Sequence, residues 1–306
     1  MEEDDGPITR RWEDLGGDAL VRIFQSFDVF DLTSGIAHVC RAWRSACCDP
    51  LLWKILDLSS MESNFIRIPQ EPYIYVDGRS DKTLMKVLKL VLSLSRGNIQ
   101  TIIFNFNLYV SDDQLLYTAE RCPLVRRLVM PAWNRIKKTG ICKAISTWPY
   151  LESMTMPSIG NPPYLLEEIA RSCKNFKELK IMGPFEVLFA SSLVKNIPNL
   201  EVLSLRCSMV NRDALRLILD GLHCLKALNL SHSVVVEICP HKSPKRVFRG
   251  LDPEILQKAS RLQEFYVCME EACVMCQRAR CDEGLMRWYK YEPGLWKYDE
   301  VCSLAL

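Results

Sequence analysis

Four cysteines near the C-terminus have the residue type and spacing that best fit metal chemistry. Cys268, Cys273, Cys276 and Cys281 lie within fourteen residues, and the middle two are separated by the two-residue gap found in zinc knuckles. A structural zinc site usually pairs two such gaps, whereas the outer cysteines here stand five residues from the inner ones. We therefore predict a cap with partly buried or free thiols and no metal or cofactor, with a zinc site as the alternative.

Other residues that could support catalysis do not form a recognisable motif. The four histidines are scattered at His38, His223, His232 and His241, and the sequence has no serine-hydrolase elbow, phosphate-binding loop or H-E-x-x-H pattern. His38 falls on a predicted helix and His223 at a predicted corner between elements, where structural roles are expected. The sequence therefore predicts that the protein is not an enzyme.

Composition narrows the class of partner and the compartment. The chain has 306 residues, of which 48% are hydrophobic, and its 39 basic and 37 acidic residues give a net charge of +2. So small a net charge favours neither nucleic acid nor a membrane surface as a partner. The acidic start at Met1–Asp5 and the lack of a long apolar run predict the nucleus or the cytoplasm. In these reducing compartments most cysteines are expected to be small buried residues.

An internal sequence repeat predicts the secondary-structure elements that hold the candidate functional side chains in place. An apolar residue, two variable residues, an apolar residue, one variable residue and an apolar residue recur in seven copies between residues 99 and 267. The copies start 24 to 26 residues apart, except that the last follows after 37. Such a period, with one short strand per unit, indicates leucine-rich repeats. The starts are Ile99, Val125, Leu151, Phe176, Leu200, Leu225 and Leu262.

Helical stretches alternate with these strands. Polar residues open two of them at 111–113 and 211–213, and Cys122, Cys173 or Pro198 mark the corners before strands. The predicted fold is therefore an α/β solenoid with a parallel sheet on its concave side and helices outside. A generic α/β enzyme fold is the alternative.

Alternation within each predicted strand leaves the variable positions on the inner, concave face. They are polar and of mixed charge, which suits a protein surface or a peptide better than an apolar small molecule. We predict that a target contacts this face, with solvated strand residues as the alternative for each position. The predicted contact residues are Arg127, Glu178, Lys180, Ser204, Arg206, Asn229 and Tyr266, with Ser153 and Glu264 beside them.

The long last interval places an insertion at residues 232–250, with a basic cluster of Lys242, Lys245, Arg246 and Arg249. Insertions in solenoids form loops on one face, often the binding face. The basic cluster could bind an acidic or phosphorylated segment, and a solvated loop is the alternative.

The first fifty residues predict short helices, with starts at Asp18 and Asp31, whose apolar stripes are too large for so short a segment to bury alone. The segment resembles an F-box in the order and spacing of Trp12-Glu13-Asp14-Leu15, Asp18-Ala19-Leu20, Ile23-Phe24, Val39-Cys40-Arg41-Ala42-Trp43-Arg44 and Trp53. Gly16 departs from the family, which usually has proline there, and this affects the rigidity of the entry turn.

The resemblance implies a three-helix module that docks onto a Skp-type adaptor and, through it, onto a cullin. The residues implied to form or support this contact are Leu15, Leu20, Ile23, Phe24, Val39, Cys40 and Trp43. The sequence leaves open which of them touch the adaptor. Repeats with cysteine at their corners resemble those of plant-type F-box/leucine-rich-repeat proteins.

Together the two modules imply the substrate-recognition subunit of an SCF-type cullin ubiquitin ligase, which binds a target protein for ubiquitination and proteasomal degradation. A non-degradative scaffold and a small-molecule-dependent receptor are the alternatives. The predicted domains are an adaptor-binding F-box module at 9–56, irregular first repeats at 57–98, leucine-rich repeats at 99–270 and a C-terminal cap or tail at 271–306.

Overall fold

The computed structural model describes residue 12 and residues 15–67, 74–131, 135–237 and 246–281. The α-helices are α1 (Gly17–Phe24), α2 (Val29–Ser34), α3 (Arg41–Ala46), α4 (Gly78–Ser95), α5 (Asp112–Arg121), α6 (Lys138–Ser146), α7 (Pro163–Ser172), α8 (Val187–Asn196), α9 (Arg212–Gly221), α10 (Pro253–Ala259) and α11 (Val274–Cys281).

The strands are β1 (Ile55–Leu58), β2 (Phe65–Arg67), β3 (Ile74–Val76), β4 (Thr101–Phe104), β5 (Arg127–Val129), β6 (Ser153–Pro157), β7 (Glu178–Met182), β8 (Val202–Ser204), β9 (Met209–Asn211), β10 (Ala227–Asn229), β11 (Val234–Glu237), β12 (Arg246–Phe248) and β13 (Glu264–Tyr266). Short 3-10 turns occupy Ile36–His38 and Pro50–Leu52.

Capping residues set the starts of the N-terminal helices. The Asp28 carboxylate accepts hydrogen bonds from the backbone N–H groups of Phe30 and Asp31, both at 2.8 Å, so α2 begins at Val29. The predicted start at Asp31 is therefore wrong. Asp18 lies in the first turn of α1, which starts one residue earlier, so it does not cap that helix.

Eight strands form one parallel sheet in the order β1-β4-β5-β6-β7-β8-β10-β13. This confirms the α/β solenoid and the seven predicted repeat strands, with β1 as an eighth. Helices α4 to α10 lie between successive strands along the chain and pack against one another on the outer side. Ser111 and Gln114 form a reciprocal capping box at the start of α5, as the polar opening at 111–113 predicts.

A column of apolar side chains aligned by strand register forms the core of the solenoid. Its middle members occupy matching positions on adjacent strands and are completely buried: Ile102, Leu128, Met154, Leu179, Leu203 and Leu228. Because each strand contributes one such residue per register position, the core extends without interruption through the array.

The corner cysteines are buried, as predicted for Cys122 and Cys173. The Trp148 indole N–H donates to the Cys122 carbonyl at 3.0 Å, and the Cys173 thiol lies 3.4 Å from the Trp148 carbonyl oxygen. Burial raises the pKa of each thiol to about 12, so both stay protonated and act as small packing residues.

Two small sheets lie beside the main one. Strand β3 pairs antiparallel with β2, so this part of the predicted first repeats at 57–98 forms a separate two-stranded sheet. The insertion at 232–250 is likewise partly regular, because β11 pairs antiparallel with β12 and parallel with β9. Lys242 and Lys245 of the basic cluster lie outside the described residues. Of the helices described, none combines the length and apolar character that crossing a membrane requires.

Candidate functional site

The N-terminal helices have a buried base that supports an apolar surface. Leu20 and Phe24 are each 1% exposed, and the Phe24 and Trp43 rings meet edge to face with centroids 5.3 Å apart. The Trp43 indole N–H donates to the Trp12 carbonyl at 3.3 Å, which ties the chain entering α1 to α3. Leu20 and Phe24 therefore belong to the core that supports this surface.

That surface surrounds an apolar cleft of about 300 Å³. Ile23, which lines the cleft, is 44% exposed, and Val39, outside the lining, is 59% exposed, although both are apolar residues in a folded segment. Exposed apolar side chains gathered in one place mark interaction surfaces. The cleft is lined by Trp12, Leu15, Leu20, Ile23, Phe24, Phe27, Ile36 and Trp43.

Cys40 has a structural task among the predicted adaptor-binding residues. Its sulfur accepts the Trp43 backbone N–H at 3.5 Å and so caps α3. This cap starts α3 at Arg41, after the 3-10 turn at Ile36–His38. Leu15 and Trp43 are partly buried at the cleft wall.

Phe27 and Leu51 are exposed apolar residues that the sequence prediction missed, at 43% and 56% exposure. Phe27 follows Ile23 by four residues and lines the same cleft, just beyond the end of α1. This helical spacing is a signal that could have identified Phe27. Leu51 follows Pro50 in a 3-10 turn, where the sequence offers no periodicity.

On the inner face of the sheet, the first residues of β5, β6 and β7 are aligned in a row, in which side chains pair across strands. The Arg127 guanidinium lies 3.2 Å from the Glu178 carboxylate, and the smaller Ser153 stands between them in the strand register. Arg127 and Glu178 remain partly exposed, whereas Ser153 is buried. The first two are therefore accessible to a partner.

The third residues of β7, β8 and β10 form a second row, and their exposure differs from the sequence prediction. Lys180, Ser204 and Asn229 are 1%, 0% and 0% exposed, so the expectation that they form an exposed contact surface is wrong. They align in register on adjacent strands, which stand about 4.8 Å apart, so each side chain shields the next. Asn229 also accepts the Ser231 backbone N–H at 2.9 Å, which is a turn-forming role.

Two predicted contact residues remain accessible toward the C-terminal end of the inner face. Tyr266 is 39% exposed, and its hydroxyl donates to the Glu264 carboxylate at 3.0 Å. This hydrogen bond raises the pKa of Tyr266. Arg206 is partly exposed two strands away. The accessible part of the predicted contact surface is therefore the rim formed by Arg127, Glu178, Arg206 and Tyr266.

The C-terminal cysteines gather around a histidine that the sequence prediction did not include. One ligand atom from each of His232, Cys268, Cys273 and Cys276 lies within 4.8 Å of the other three. Cys281 ends α11, and its side chain lies outside the described part of the structure. The observed cluster therefore differs from the predicted set of four cysteines. Stacking of the repeats brings His232 close to three cysteines that follow it in the sequence by at least 36 residues.

The residues of this cluster differ in the direction in which their surroundings shift the pKa. Burial, and then the nearby Arg206 cation, lower the pKa of His232 from 6.5 to about 4, so its imidazole is neutral at pH 7. Burial raises the pKa of Cys273, but hydrogen bonds from the Cys276 backbone and other neighbours outweigh it, and the net shift is downward. Burial raises the pKa of Cys276.

Comparisons with known proteins agree with this architecture. The family described as F-box-like matches residues 12–59, which contain α1 to α3. The chain is 26% identical to putative F-box protein At4g11580 of Arabidopsis thaliana, with 99% of the chain and 98% of that protein covered. It is 24% identical to putative F-box/LRR-repeat protein 23 of the same plant over 72% of the chain and 48% of that protein.

A stronger similarity covers the whole chain. F-box/LRR-repeat protein At3g48880 of Arabidopsis thaliana is 62% identical over 307 aligned residues, covering 100% of this chain and 99% of that protein. An F-box-like segment, a parallel repeat array behind it and a full-length relative of this similarity lead to one assignment. The chain belongs to the F-box/LRR-repeat family.

Proposed function

We propose that the chain is the substrate-recognition subunit of an SCF-type cullin ubiquitin ligase. In this proposal, the apolar surface of α1 to α3 binds a Skp-type adaptor that bridges to the cullin, and the repeats bind a target protein for ubiquitination and proteasomal degradation. The chain has no catalytic step of its own. It works in the nucleus, the cytoplasm or both, without nucleic acid or membrane.

The exposed cleft of α1 to α3 is the observation that carries the adaptor contact. Ile23 and Phe27 line it with exposed apolar side chains, while Leu20 and Phe24 are already used by the core below. Burying an exposed apolar side chain of this size against a partner contributes about 1.5–3 kcal/mol. Several such residues around one cleft supply the anchors that a stable interface needs.

The accessible rim of the inner face supports a target contact of mixed charge. Arg127, Glu178, Arg206 and Tyr266 offer a cation, an anion, a second cation and an aromatic hydroxyl along the array. Tyrosine and arginine are frequent anchors in protein interfaces. A protein surface or a peptide fits this row better than a small apolar ligand.

The proposed mechanism is proximity. When one end of the chain holds the adaptor and the repeats hold a target, a separate conjugating enzyme meets that target at a raised effective concentration. The rigid array fixes the distance between the two contacts, because each repeat packs on its neighbours through a continuous core.

The test of the adaptor contact compares two exposed apolar helix positions. Ile23→Asp places a charge beside the cleft, whereas Leu256→Asp makes the same change at a 49% exposed position of α10. We expect Ile23→Asp to weaken binding of a purified Skp-type adaptor by about 30-fold or more, as for an interface anchor. Leu256→Asp should bind like wild type in the same calorimetric titration.

Equal adaptor binding by the two variants would contradict the proposed surface. Substitution of Leu20 or Phe24 is less informative, because these residues are in the core and their loss would unfold the helices. For the degradative role, proteins captured by both wild type and Ile23→Asp are candidate targets. Their levels should rise when the proteasome is inhibited; unchanged levels would instead support a scaffold, and capture that needs an added metabolite would support a small-molecule-dependent receptor.

A further inference from the structure

The His232 and cysteine cluster has the spacing of a tetrahedral metal site. His232 Nδ1 lies 3.3 Å from Cys276 Sγ and 3.5 Å from Cys273 Sγ, and the sulfurs of Cys268 and Cys276 are 3.6 Å apart. Zinc–sulfur bonds of about 2.3 Å arranged tetrahedrally place neighbouring ligand atoms about 3.7 Å apart. The three distances are close to three of the six edges of such a tetrahedron, and the other ligand atoms lie within 4.8 Å of one another.

We propose that His232, Cys268, Cys273 and Cys276 bind one zinc ion, which ties the last repeats to α11. Three thiolates and one imidazole are a ligand set that structural zinc sites use, and all four positions are filled by protein. The site is therefore structural and has no open position for a substrate.

The chain prepares each ligand through local backbone structure. His232 adopts a left-handed conformation with φ of 59°, and its N–H donates to the Cys268 carbonyl at 2.8 Å. A non-glycine residue adopts this conformation only when its surroundings hold it there, and here the hydrogen bond aligns the turn after β10 with the one after β13. His232 and Cys268 are thus brought together by strand stacking.

Cys273 and Cys276 approach from the other side. Cys273 directly precedes α11, Cys276 lies in its first turn, and the Cys276 thiol is 3.1 Å from the Cys268 carbonyl oxygen. Backbone N–H groups at a helix start favour thiolate sulfur. Two ligands thus come from the repeat turns and two from the start of α11.

The end of the solenoid needs such a cross-link. Glu264 and Tyr266 of β13 are exposed, and α11 contacts the small sheet through Ala279 against Val234 and Val236. Although α11 also buries Met275 and Cys276, an eight-residue helix with three buried side chains among those described is marginal unless something else holds it. A zinc ion would supply that constraint, since metal binding to a folded site contributes directly to folding.

A Cys268–Cys276 disulfide is the competing use of this cluster. A disulfide would not explain why the ligand atoms of His232 and Cys273 lie within 4.8 Å of the same two sulfurs. Zinc uses all four residues. This inference concerns the stability of the C-terminal end and does not depend on the proposed ligase role.

The decisive measurement is the metal content of the full-length chain, purified without a histidine tag or a chelator. We expect about one equivalent of zinc per chain and, after exchange with cobalt, the absorption bands of tetrahedral cobalt–thiolate coordination. The double variant Cys273→Ser/Cys276→Ser should lose the metal. Cys224→Ser, at an exposed cysteine remote from the cluster, should retain it.

Folded wild-type protein that contains no zinc, and takes up none when it is supplied, would overturn the proposal, as would a Cys268–Cys276 disulfide found by mass spectrometry. Zinc retained by the double variant would also overturn it. Because the wild-type measurement needs no variant, the test holds even if the double variant fails to fold. A chelator should reduce amide hydrogen-exchange protection in α11 and leave α8 unchanged.

Discussion

The middle of the repeat array and its C-terminal end are built on the same strand pattern but held together differently. In the middle, Leu179, Leu203 and Leu228 form a completely buried column with neighbours on both sides. At the end, β13 pairs with β10 as its one neighbour among the described strands, and Phe265 is partly buried while Glu264 and Tyr266 are exposed.

This difference shows where packing suffices and where it does not. Each central repeat buries both faces of its apolar layer against adjacent repeats, so hydrophobic burial is a large contribution to its stability. In the described part of the chain, the last repeat has a strand neighbour on one side and is followed by a short helix, α11, with a cluster of potential metal ligands beside it. Apolar packing is therefore thinner at the C-terminal end than in the middle.

The largest expected effect comes from opening the core of the middle. Leu203→Ala should lower the free energy of unfolding by about 2–5 kcal/mol, because the cavity lies between two packed strands that cannot collapse into it. Phe265→Ala removes a larger side chain but should cost less, about 1–2 kcal/mol, since Phe265 is partly solvated already. Urea denaturation followed by circular dichroism compares the two.

A larger loss for Phe265→Ala than for Leu203→Ala would break the comparison. It would mean that the C-terminal end, and not the middle, carries the cooperative core. Equal slopes of the unfolding transitions are the control, because they show that both variants unfold the same surface.

A smaller effect is expected where central helices touch. A Cβ added at Gly221, at the end of α9, would lie 2.5 Å from Val194 Cγ1 of α8, so Gly221→Ala should cost about 1–3 kcal/mol by overpacking. Gly250→Ala, near the C-terminal end, meets nothing within 4 Å and should change stability by less than about 0.5 kcal/mol. Thermal denaturation measures both.

The double variant Gly221→Ala/Val194→Ala sharpens this test. Removing the valine methyl groups makes room for the new Cβ, so the two costs should not add. Additive losses would show that Gly221 is required for another reason than the close contact between α8 and α9.

The sequence predicted the repeat strands because their spacing is local and regular. Positions such as Leu179 and Leu203 recur at a fixed distance, and period-two alternation places them in the core without knowledge of any partner strand. The inner-face exposure could not be predicted in the same way. Whether Lys180 or Asn229 is covered depends on which side chains stand beside it in register, which is a property of neighbouring repeats.

Two other features depend on long-range contacts for the same reason. His232 lies 36 residues before Cys268, so no spacing rule for zinc ligands connects them. In the N-terminal region, helical periodicity identified Ile23 and Phe24 as neighbours on α1 but could not show that Phe24 faces inward and Ile23 outward. Contacts with α3 decide that difference.

The smallest effects are expected from replacing two arginines, Arg212 and Arg249, whose ion pairs differ in burial. Arg212, at the start of α9, pairs with Asp252 and, at 3.3 Å, with Glu237, and its side chain is only 20% exposed. Arg249 pairs with Glu271 at 2.9 Å, with an 85% exposed side chain. Arg212→Ala should cost about 1–2 kcal/mol, because it leaves two half-buried carboxylates without their cation.

Arg249→Ala should stay within about 0.5 kcal/mol of wild type, because solvent screens an exposed pair almost completely. Added salt distinguishes the two ion pairs. At 1 M sodium chloride the Debye length is about 3 Å, so the small effect at Arg249 should disappear. The effect at Arg212 should fall only in part, because salt screens a partly buried pair much less. A salt-independent loss at Arg249 would mean that this arginine supports the end of the solenoid through packing. The contrast with the apolar middle would then rest on the zinc ligands and on Arg212 alone.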